Sequence, residues 1–192
     1  MQERKADISR VTGETNVHIA IDLDGTGKAD IHTGIGFFDH MLNSFARHGL
    51  FDLTVDVKGD LEVDSHHTIE DTGIVLGQAI RQAVGDKKGI RRFGDCMLPM
   101  DETLMLCALD LSGRPYLKFY MPLTVPKVGD FDTEMVHEFF YAVSYGAEMN
   151  LHLKMLDGEN NHHIIEAAFK AFAKALDKAV QYDDRIQEVL ST

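Results

Sequence analysis

The sequence predicts an α+β fold made of two similar halves, residues 1–90 and 91–192, that form one compact unit. A His-His-x-x-Glu motif occurs at 66–70 and again at 162–166. Each copy opens a run with helical character, and segments that alternate apolar and polar residues precede each copy. Because both halves follow one order, we expect two β-β-α-β-α half-domains whose helices cover one face of an antiparallel or mixed sheet.

The first half contains five predicted elements in chain order. They are a strand at 16–23, a second strand at 28–33, a helix from Phe37 to Gly49, a strand at 52–58 and a helix at 66–84. The strands alternate apolar and polar side chains, as half-buried strands do. The Asp-Gly-Thr-Gly turn at 24–27 favours a hairpin between the first two strands. Gly49 is expected to stop the first helix, because glycine is favoured at helix C-termini.

The second half repeats this order. Its elements are a strand at 104–109, a strand at 116–119, a helix that starts within 131–140, a strand that contains 151–155 and a helix at 162–180. Aligned without a gap, the two motif helices match at both histidines, an isoleucine, the glutamate, two alanines and a final valine. This agreement indicates an internal duplication rather than two unrelated segments.

Composition narrows the function classes. Hydrophobic residues make up 44% of the chain and charged residues 26%, which is ordinary for a globular protein with a substantial core. The net charge of −12 argues against a nucleic-acid partner, since no basic stripe is present. The two cysteines, Cys96 and Cys107, need not pair, and a reducing cytoplasm fits them. Neither a secretory signal nor a stretch of membrane-spanning length is present, so we expect a cytoplasmic protein without a membrane partner.

The repeated motif has the spacing of a metal site. On a helix, residues i and i+4 share a face, so the first histidine and the glutamate of each motif can hold one ion as a nitrogen–oxygen pair. The second histidine is rotated by about 100° and should reach a different ion. Histidines at 40 and 137 occupy corresponding places in the two halves and would complete two similar sets. The predicted metal ligands are His40, His66, His67, Glu70, His137, His162, His163 and Glu166.

A purely structural explanation is the alternative. One His-x-x-x-Glu pair is commonly a solvated helix face, and His40 and His137 could simply be packed helix residues. Two copies at matching points of two half-chains are harder to explain in that way. Asp71 serves as a control, because it stands at i+4 from His67 but its counterpart in the second half is Ala167. We therefore do not expect Asp71 to bind metal.

Five segments together resemble the imidazoleglycerol-phosphate dehydratase family of histidine biosynthesis. They are Gly34-Ile-Gly-Phe-Phe-Asp-His-Met-Leu42, Asp64-Ser-His-His-Thr-Ile-Glu-Asp71, Met100-Asp-Glu102, Asp110-Leu-Ser-Gly-Arg-Pro-Tyr116 and Asn160-Asn-His-His-Ile-Ile-Glu-Ala-Ala-Phe-Lys170. The resemblance extends from about Arg10 to about Tyr182. It implies a duplicated fold of the ribosomal protein S5 domain 2-like type with left-handed βαβ character. It also implies Mn²⁺ as the metal, a homo-oligomer of trimers assembled into a 24-mer, and active sites between subunits.

The implied reaction converts D-erythro-imidazole-glycerol phosphate into imidazole-acetol phosphate with loss of water. The proton that is lost sits on an unactivated carbon, so direct elimination is slow. An imidazolate ring could instead expel the neighbouring hydroxyl and give a diazafulvene intermediate. Two Mn²⁺ ions per active site, one for each ring nitrogen, would stabilise the imidazolate as Lewis acids. Mixed histidine and carboxylate ligands with open positions suit Mn²⁺ or Fe²⁺ better than a closed structural zinc site.

The resemblance also assigns roles outside the metal ligands. Glu14 becomes the candidate acid/base residue, although an early-loop carboxylate is usually only solvated. Asp101 and Glu102 are candidates to orient the histidines. Lys170, at i+4 from Glu166, could equally be an exposed helix lysine. The expected substrate-binding residues are Glu14, His40, His48, Arg92, Arg114, Lys170 and Ser191.

One departure and two alternative functions stay open. The family continues with a Ser-x-Lys-Gly segment that helps to hold phosphate, whereas this sequence ends at Ser191-Thr192, where that segment would start. A metallohydrolase of a phosphate ester would use similar ligands but would release free phosphate. A metal-storage shell would hold many more than two ions per chain and would leave Arg92 and Arg114 without a role.

Overall fold

Two four-stranded mixed sheets with one strand order form the two halves of this computed structural model, which describes residues 3–190. In the first half the elements are β1 (Lys5–Val11), β2 (Thr15–Asp22), β3 (Ala29–His32), α1 (Gly36–Gly49), β4 (Asp52–Gly59) and α2 (His66–Val84). In the second half they are β5 (Phe93–Met100), β6 (Thr103–Asp110), β7 (Tyr116–Tyr120), β8 (Lys127–Val128), β9 (Phe131–Asp132), α3 (Met135–Gly146), β10 (Asn150–Asp157) and α4 (Asn161–Val180).

The sheets repeat one topology. Their orders are β1-β2-β4-β3 and β5-β6-β10-β7, and β8 pairs with β9 in a separate two-stranded ribbon. In each sheet the first three strands of the order are antiparallel neighbours, and the last strand is parallel to its neighbour. The predicted α+β class with duplicated halves and helix-backed mixed sheets is therefore confirmed.

The four-stranded sheet of each half contains one strand more than the β-β-α-β-α pattern predicted, and the second half also contains the unpredicted β8–β9 ribbon. In both halves the extra strand is the first one, β1 or β5, and it lies at a sheet edge. Strand β1 buries Ala6 alone and carries charged residues, so its apolar alternation is weak. Strand β5 contains Gly94 and Pro99, which are residues that disfavour a strand prediction. Apart from the β8–β9 ribbon, each half-domain is thus β-β-β-α-β-α.

The predicted hairpin between β2 and β3 is wrong. Both edges of β2 are occupied, by β1 and by β4, so β3 pairs in parallel with the free edge of β4. The connecting turn is held on β4 because Asp52 Oδ1 accepts hydrogen bonds from the backbone N–H groups of Thr26 (2.7 Å) and Lys28 (3.0 Å). A Cβ atom at Gly25 would lie 2.2 Å from the Asp52 nitrogen, so this turn requires glycine.

The first helix ends at Gly49 as predicted, but glycine is needed there for another reason. Gly49 is the last residue of α1, and Leu50 takes the left-handed conformation at φ 59°. Glycine is needed at 49 for packing, since a Cβ there would lie 2.2 Å from the ring of Phe51. Helix α3 begins at Met135, within the predicted range 131–140, and Phe131 belongs to the β8–β9 ribbon.

The helices pack across the two halves. Helix α1 contacts α4, and α2 contacts α3, so each contact joins a helix of one half to a helix of the other. Fully buried aromatic rings pack among α1, α3 and α4: Phe38, Phe45, Phe139, Phe140, Phe169 and Phe172. The packing of α1 on α4 places His40 of the first half beside the second-half motif.

None of the helices within residues 3–190 has the length and apolar character needed to cross a bilayer.

Candidate metal centre

Both histidine pairs lie in the first turn of a helix, where side chains of the preceding residues fix the backbone. The side-chain oxygen of Asn160 accepts hydrogen bonds from the N–H groups of His162 (2.9 Å) and His163 (3.4 Å). In the first half, Asp64 Oδ1 accepts one from the N–H of His66 at 2.8 Å. Such capping stabilises a helix end. The position of the histidines at the start of α2 and α4 is therefore set locally.

His40, His162 and Glu166 form a three-residue cluster between α1 and α4. One donor atom from each lies within 4.8 Å of the others, and no other such group of three occurs among residues 3–190. Glu166 Oε2 is 3.0 Å from His162 Nε2 and 3.4 Å from His40 Nε2. Two imidazole nitrogens and a carboxylate oxygen suit a first-row divalent cation. The residues present fit a metal ion at this point.

Glu166 is also paired with a lysine. Its side chain is only 10% exposed, and Lys170 Nζ lies 2.6 Å from Oε1, the oxygen that does not face the histidines. Burial acts to raise the pKa of Glu166, but the hydrogen bond and charge of Lys170 and the hydrogen bond to His162 outweigh it, so the pKa is lowered. The carboxylate is therefore ionised and able to bind a cation at neutral pH.

The corresponding residues of the other helix pair do not converge in the same way. His66 Nε2 lies 3.5 Å from Glu70 Oε2 on α2, as the i,i+4 spacing predicts. His137 on α3 instead has its Nδ1 3.0 Å from Glu138 Oε1, and its ring packs against Phe119 and Tyr141. Among the predicted ligands, the structure brings His40, His162 and Glu166 together within a single chain.

The second histidine of each motif is held by a carboxylate from another segment. His67 Nδ1 lies 3.0 Å from Asp60 Oδ2, and His163 Nδ1 lies 2.8 Å from Glu102 Oε2. These hydrogen bonds raise the pKa of both histidines. The contact with His163, together with the Asn160 N–H, lowers the pKa of Glu102 to about 2. The paired Nδ1 atoms leave both Nε2 atoms for another ligand.

Asp101 and Asp71 play different parts. Asp101 Oδ2 is 3.9 Å from His163 Nε2, at the edge of ion-pair distance. Asp71 is 10% exposed, faces Arg10 Nη1 at 2.5 Å and accepts a hydrogen bond from the Thr15 hydroxyl. Its carboxylate is thus occupied by an internal ion pair, and Asp71 is not a member of the metal cluster.

A cleft of about 530 Å³ adjoins the cluster. Its lining residues come from the β2–β3 connection, α1 and α4: Gly27, Lys28, Ala29, His40, Asn43, Ser44, Arg47, His48, Glu166 and Lys170. Burial lowers the pKa of His48, and the charges of Lys170 and Lys174 add to this effect. The cleft contains more cationic than anionic side chains, which suits an anionic ligand beside a metal ion.

Three other predicted substrate-binding residues do not line this cleft. Glu14 is exposed in the turn between β1 and β2, where its charge raises the pKa of His67. Arg92 is 5% exposed and forms an internal pair with Asp110, with Nε 2.6 Å from Oδ1. Arg114 is exposed in the turn before β7. Ser191 lies outside the described residues.

Sequence reasoning missed two residues of this region. Arg47 lies at i+7 from His40 on α1, so the two share a helix face, and this spacing could have identified it. Asp60 follows β4 and precedes His67 by seven residues, but no local pattern marks it as a histidine partner. Only the fold brings its carboxylate to the imidazole ring.

Comparison with known proteins gives a consistent result. The family model described as imidazoleglycerol-phosphate dehydratase matches residues 33–176. A protein of that name from Lachnoclostridium phytofermentans is 68% identical over 189 residues, which cover 98% of this chain and 96% of the relative. One from Acetivibrio thermocellus is 62% identical over 190 residues, covering 99% and 97% of the two chains.

Solved structures agree with the sequence relatives. The crystal structure of imidazoleglycerol-phosphate dehydratase from Staphylococcus aureus superposes with a TM-score of 0.85 at 42% identity, covering 93% of this chain and 99% of the other. That of the Pyrococcus furiosus protein gives a TM-score of 0.81 at 34% identity, covering 95% and 100%. The similarity thus extends over both halves and includes every element that carries the cluster.

Proposed function

This chain belongs to the imidazoleglycerol-phosphate dehydratase family, and on that premise we propose how it removes water from D-erythro-imidazole-glycerol phosphate to give imidazole-acetol phosphate. The protein is a hydro-lyase of histidine biosynthesis. The observation that carries the proposal is the cluster of His40, His162 and Glu166, with a cationic cleft beside it. The cluster suits the metal, and the cleft suits the phosphate-bearing end of the substrate.

Two Mn²⁺ ions serve each active site in this proposal. One is held by His40, His162 and Glu166, and the second involves His66, Glu70 and His137. When bound, such ions act as Lewis acids toward the ring nitrogens of the substrate. In the absence of a cation, Lys170 helps to keep Glu166 ionised.

His67 and His163 complete the sites across subunit boundaries. Ligand histidines ordinarily donate their second ring nitrogen to a carboxylate, which fixes the ring and its tautomer. Asp60 and Glu102 supply that contact here, although neither histidine joins the cluster of its own chain. Their Nε2 atoms therefore suit an ion held with a neighbouring copy. This supports a homo-oligomer, which we propose to be a 24-mer assembled from trimers.

Glu14 is our candidate for moving the proton between carbon and oxygen. It is exposed at the turn that leads into β2, and its backbone N–H is fixed by the Thr12 hydroxyl at 3.1 Å. After the hydrogen bond from Asp60, the charge of Glu14 contributes to the raised pKa of His67, a proposed ligand. A positioned carboxylate of this kind contributes roughly 10² to 10⁴ in rate.

The phosphate group is assigned to His48, Lys170, Arg114, Arg92 and Ser191. His48 and Lys170 line the cleft, and Arg114 is exposed. Arg92 Nη1 donates a hydrogen bond to the carbonyl oxygen of Leu190, directly before Ser191. In this proposal Arg92 binds the backbone of the residue directly before Ser191 and so helps to position the end of the phosphate site.

The two halves, 1–90 and 91–192, act as one compact unit in this proposal. Their helices pack on each other, and the cluster takes ligands from both. Neither half could therefore provide the proposed site alone.

We place the protein in the cytoplasm, where its two free thiols, Cys96 and Cys107, would stay reduced.

A direct assay tests the activity. Purified protein with Mn²⁺ should convert imidazole-glycerol phosphate into a ketone-bearing product without releasing phosphate, and Glu14→Gln should lose at least about 100-fold of that rate. Free phosphate as the product would instead identify a hydrolase. Metal content far above two ions per chain without turnover would indicate a storage protein.

A further inference from the structure

Lys170 stands between the metal cluster and the anion cleft. Its Nζ is 2.6 Å from Glu166 Oε1, while the other carboxylate oxygen faces His162 and His40. The same lysine lines the cleft. One side chain is therefore within reach of two proposed ligands, a divalent cation on Glu166 and an anion in the cleft.

We propose that Lys170 couples cation binding to anion binding, because a divalent cation and Lys170 compete for Glu166 while Glu166 and the anion compete for Lys170. The inference rests on the proposed function, since it takes Glu166 as a metal ligand. It concerns the energetic link between the two sites, which neither site reveals alone. The anion is of the phosphate class, either inorganic phosphate or a phosphomonoester.

The competition follows from charge and burial. The side chains of Glu166 and Lys170 are only 10% and 19% exposed, so water screens their charges weakly. A divalent cation that takes the carboxylate brings positive charge beside the ammonium group, and like charges repel. Lys170 then gains by turning toward an anion. The reverse holds as well, since an anion that draws Lys170 away leaves Glu166 free for the cation.

Arg47 gives the cleft a second cation for this anion. It lies on the same face of α1 as His40, and it has no ion-pair partner within residues 3–190. With Glu166 taken by a cation, Arg47 and Lys170 would both face the cleft without a carboxylate partner there. Two such cations favour an ionised phosphate group.

Thermodynamic linkage requires the coupling between cation binding and anion binding to be reciprocal. If the anion strengthens cation binding by some factor, the cation must strengthen anion binding by the same factor. Couplings between sites are typically about 5-fold to 150-fold. We expect the wild-type protein to fall within this range when Mn²⁺ and inorganic phosphate are the probes.

The test measures Mn²⁺ affinity by calorimetry or by the electron paramagnetic resonance signal of free Mn²⁺, with and without inorganic phosphate. Lys170→Gln should bind Mn²⁺ several-fold more tightly than wild type without phosphate, and its coupling factor should fall several-fold. Lys170→Arg keeps the charge and should keep the coupling. Arg47→Gln should weaken phosphate binding in the presence of Mn²⁺ and leave the affinity for Mn²⁺ alone within about 2-fold.

Lys174→Gln is the matched control, because it removes the same charge one turn further along α4 without contacting Glu166. It should preserve most of the coupling. Equal coupling in wild type and Lys170→Gln, or weaker Mn²⁺ binding in Lys170→Gln, overturns the inference while the metal centre stands. A wild-type protein that binds no Mn²⁺ overturns the proposed metal centre and this inference with it.

Discussion

At the scale of single residues, the second histidine of each motif contacts a carboxylate, but that carboxylate comes from a different segment in each half. Asp60, after β4, holds His67, whereas Glu102, in the β5–β6 turn, holds His163. The two carboxylates come from different places in the two halves, yet both contact the Nδ1 atom. A carboxylate at Nδ1 fixes the ring and the tautomer, and leaves Nε2 for a metal. The carboxylate contact to Nδ1 is therefore duplicated although its sequence context is not.

Glu102→Gln should lower the pKa of His163. The hydrogen bond to Glu102 is the main cause of the raised value, so its loss should return the ring toward about 6.5. Nuclear magnetic resonance titration of the metal-free protein measures this directly. Asp60→Asn is the control, since it should shift His67 and leave His163 unchanged. A His163 pKa that does not move would contradict the assigned contact.

The sign of the related pH dependence follows from the raised pKa of His163. A raised folded-state pKa stabilises the fold at pH values below about 6.5, and that contribution is lost as pH rises through the folded-state pKa. Metal binding has the opposite trend, because a protonated imidazole cannot be a ligand. Affinity for Mn²⁺ should therefore begin to fall at a pH above the ordinary histidine value as the solution is acidified.

Glu166→Gln and Asp71→Asn should separate a ligand from a structural carboxylate. Glu166→Gln should lose Mn²⁺ affinity by about 10-fold or more, because it removes a charged donor from the cluster. Asp71→Asn should retain its metal but lose about 1–3 kcal/mol of unfolding free energy, since Arg10 and Thr15 lose their partner. Elemental analysis and denaturant unfolding measure the two effects. Equal metal loss in both variants would show that Asp71 is also a ligand.

At the scale of elements, glycines set the distance between α2 and α3. A Cβ atom at Gly77 would lie 2.6 Å from the Val143 carbonyl oxygen and 2.8 Å from the Ala147 nitrogen. Gly73 and Gly146 make similarly close approaches across the same contact. The backbones of the two helices therefore pack almost directly on each other. This contact positions α2, with His66 and Glu70, relative to α3.

Gly77→Ala should destabilise the protein despite the better helix propensity of alanine. Forcing the helices apart costs about 1–3 kcal/mol, whereas the propensity gain is only about 1 kcal/mol. We expect a net loss that lowers the melting temperature by a few degrees. Gly36→Ala is the control, because nothing lies within 4 Å of a Cβ atom at that helix start. Differential scanning calorimetry of both variants should show a decrease for Gly77→Ala alone.

At the scale of the whole molecule, the proposed metal ligands connect the two halves of one chain and, in the proposed assembly, neighbouring copies of the chain. The cluster joins α1 of the first half to α4 of the second. His67 and His163 have carboxylate partners but belong to no three-residue cluster within residues 3–190. If their Nε2 atoms complete sites on a neighbouring copy, each ion adds free energy to association by mass action. Activity and assembly would then depend on the same ions.

Removal of the metal should shrink the particle. Chelation should abolish activity and leave a smaller species, which we expect to be a trimer, and Mn²⁺ should restore both activity and size. Light scattering of metal-free and Mn²⁺-loaded protein at equal concentration measures the mass. The control is His18→Ala, because the His18 ring is hydrogen-bonded to Asp7 on the sheet and is not part of the metal cluster, so metal-dependent assembly should stay intact. An unchanged mass after complete metal removal would place all ligand sets within one chain.

The sequence by itself determined the duplication, the α+β class and the ligand motifs, because these depend on local periodicity. An i,i+4 spacing on a helix places His162 and Glu166 together whatever surrounds them. The strands that were not predicted, β1 and β5, are edge strands in which apolar and polar residues alternate only weakly. Strand β3 was assigned to the wrong neighbour because both edges of β2 are occupied by other strands.

Only the tertiary structure decided which histidine joins which motif. His40 could have met either motif, and the packing of α1 on α4 selects the second-half one. Likewise Asp60, Arg47 and the two-sided contact of Lys170 arise from how separate elements meet. Local spacing constrains a side chain to a helix face, whereas burial of the aromatic core fixes which faces come together. The motifs determine which candidate ligand side chains are present, and that packing determines which of these side chains lie together.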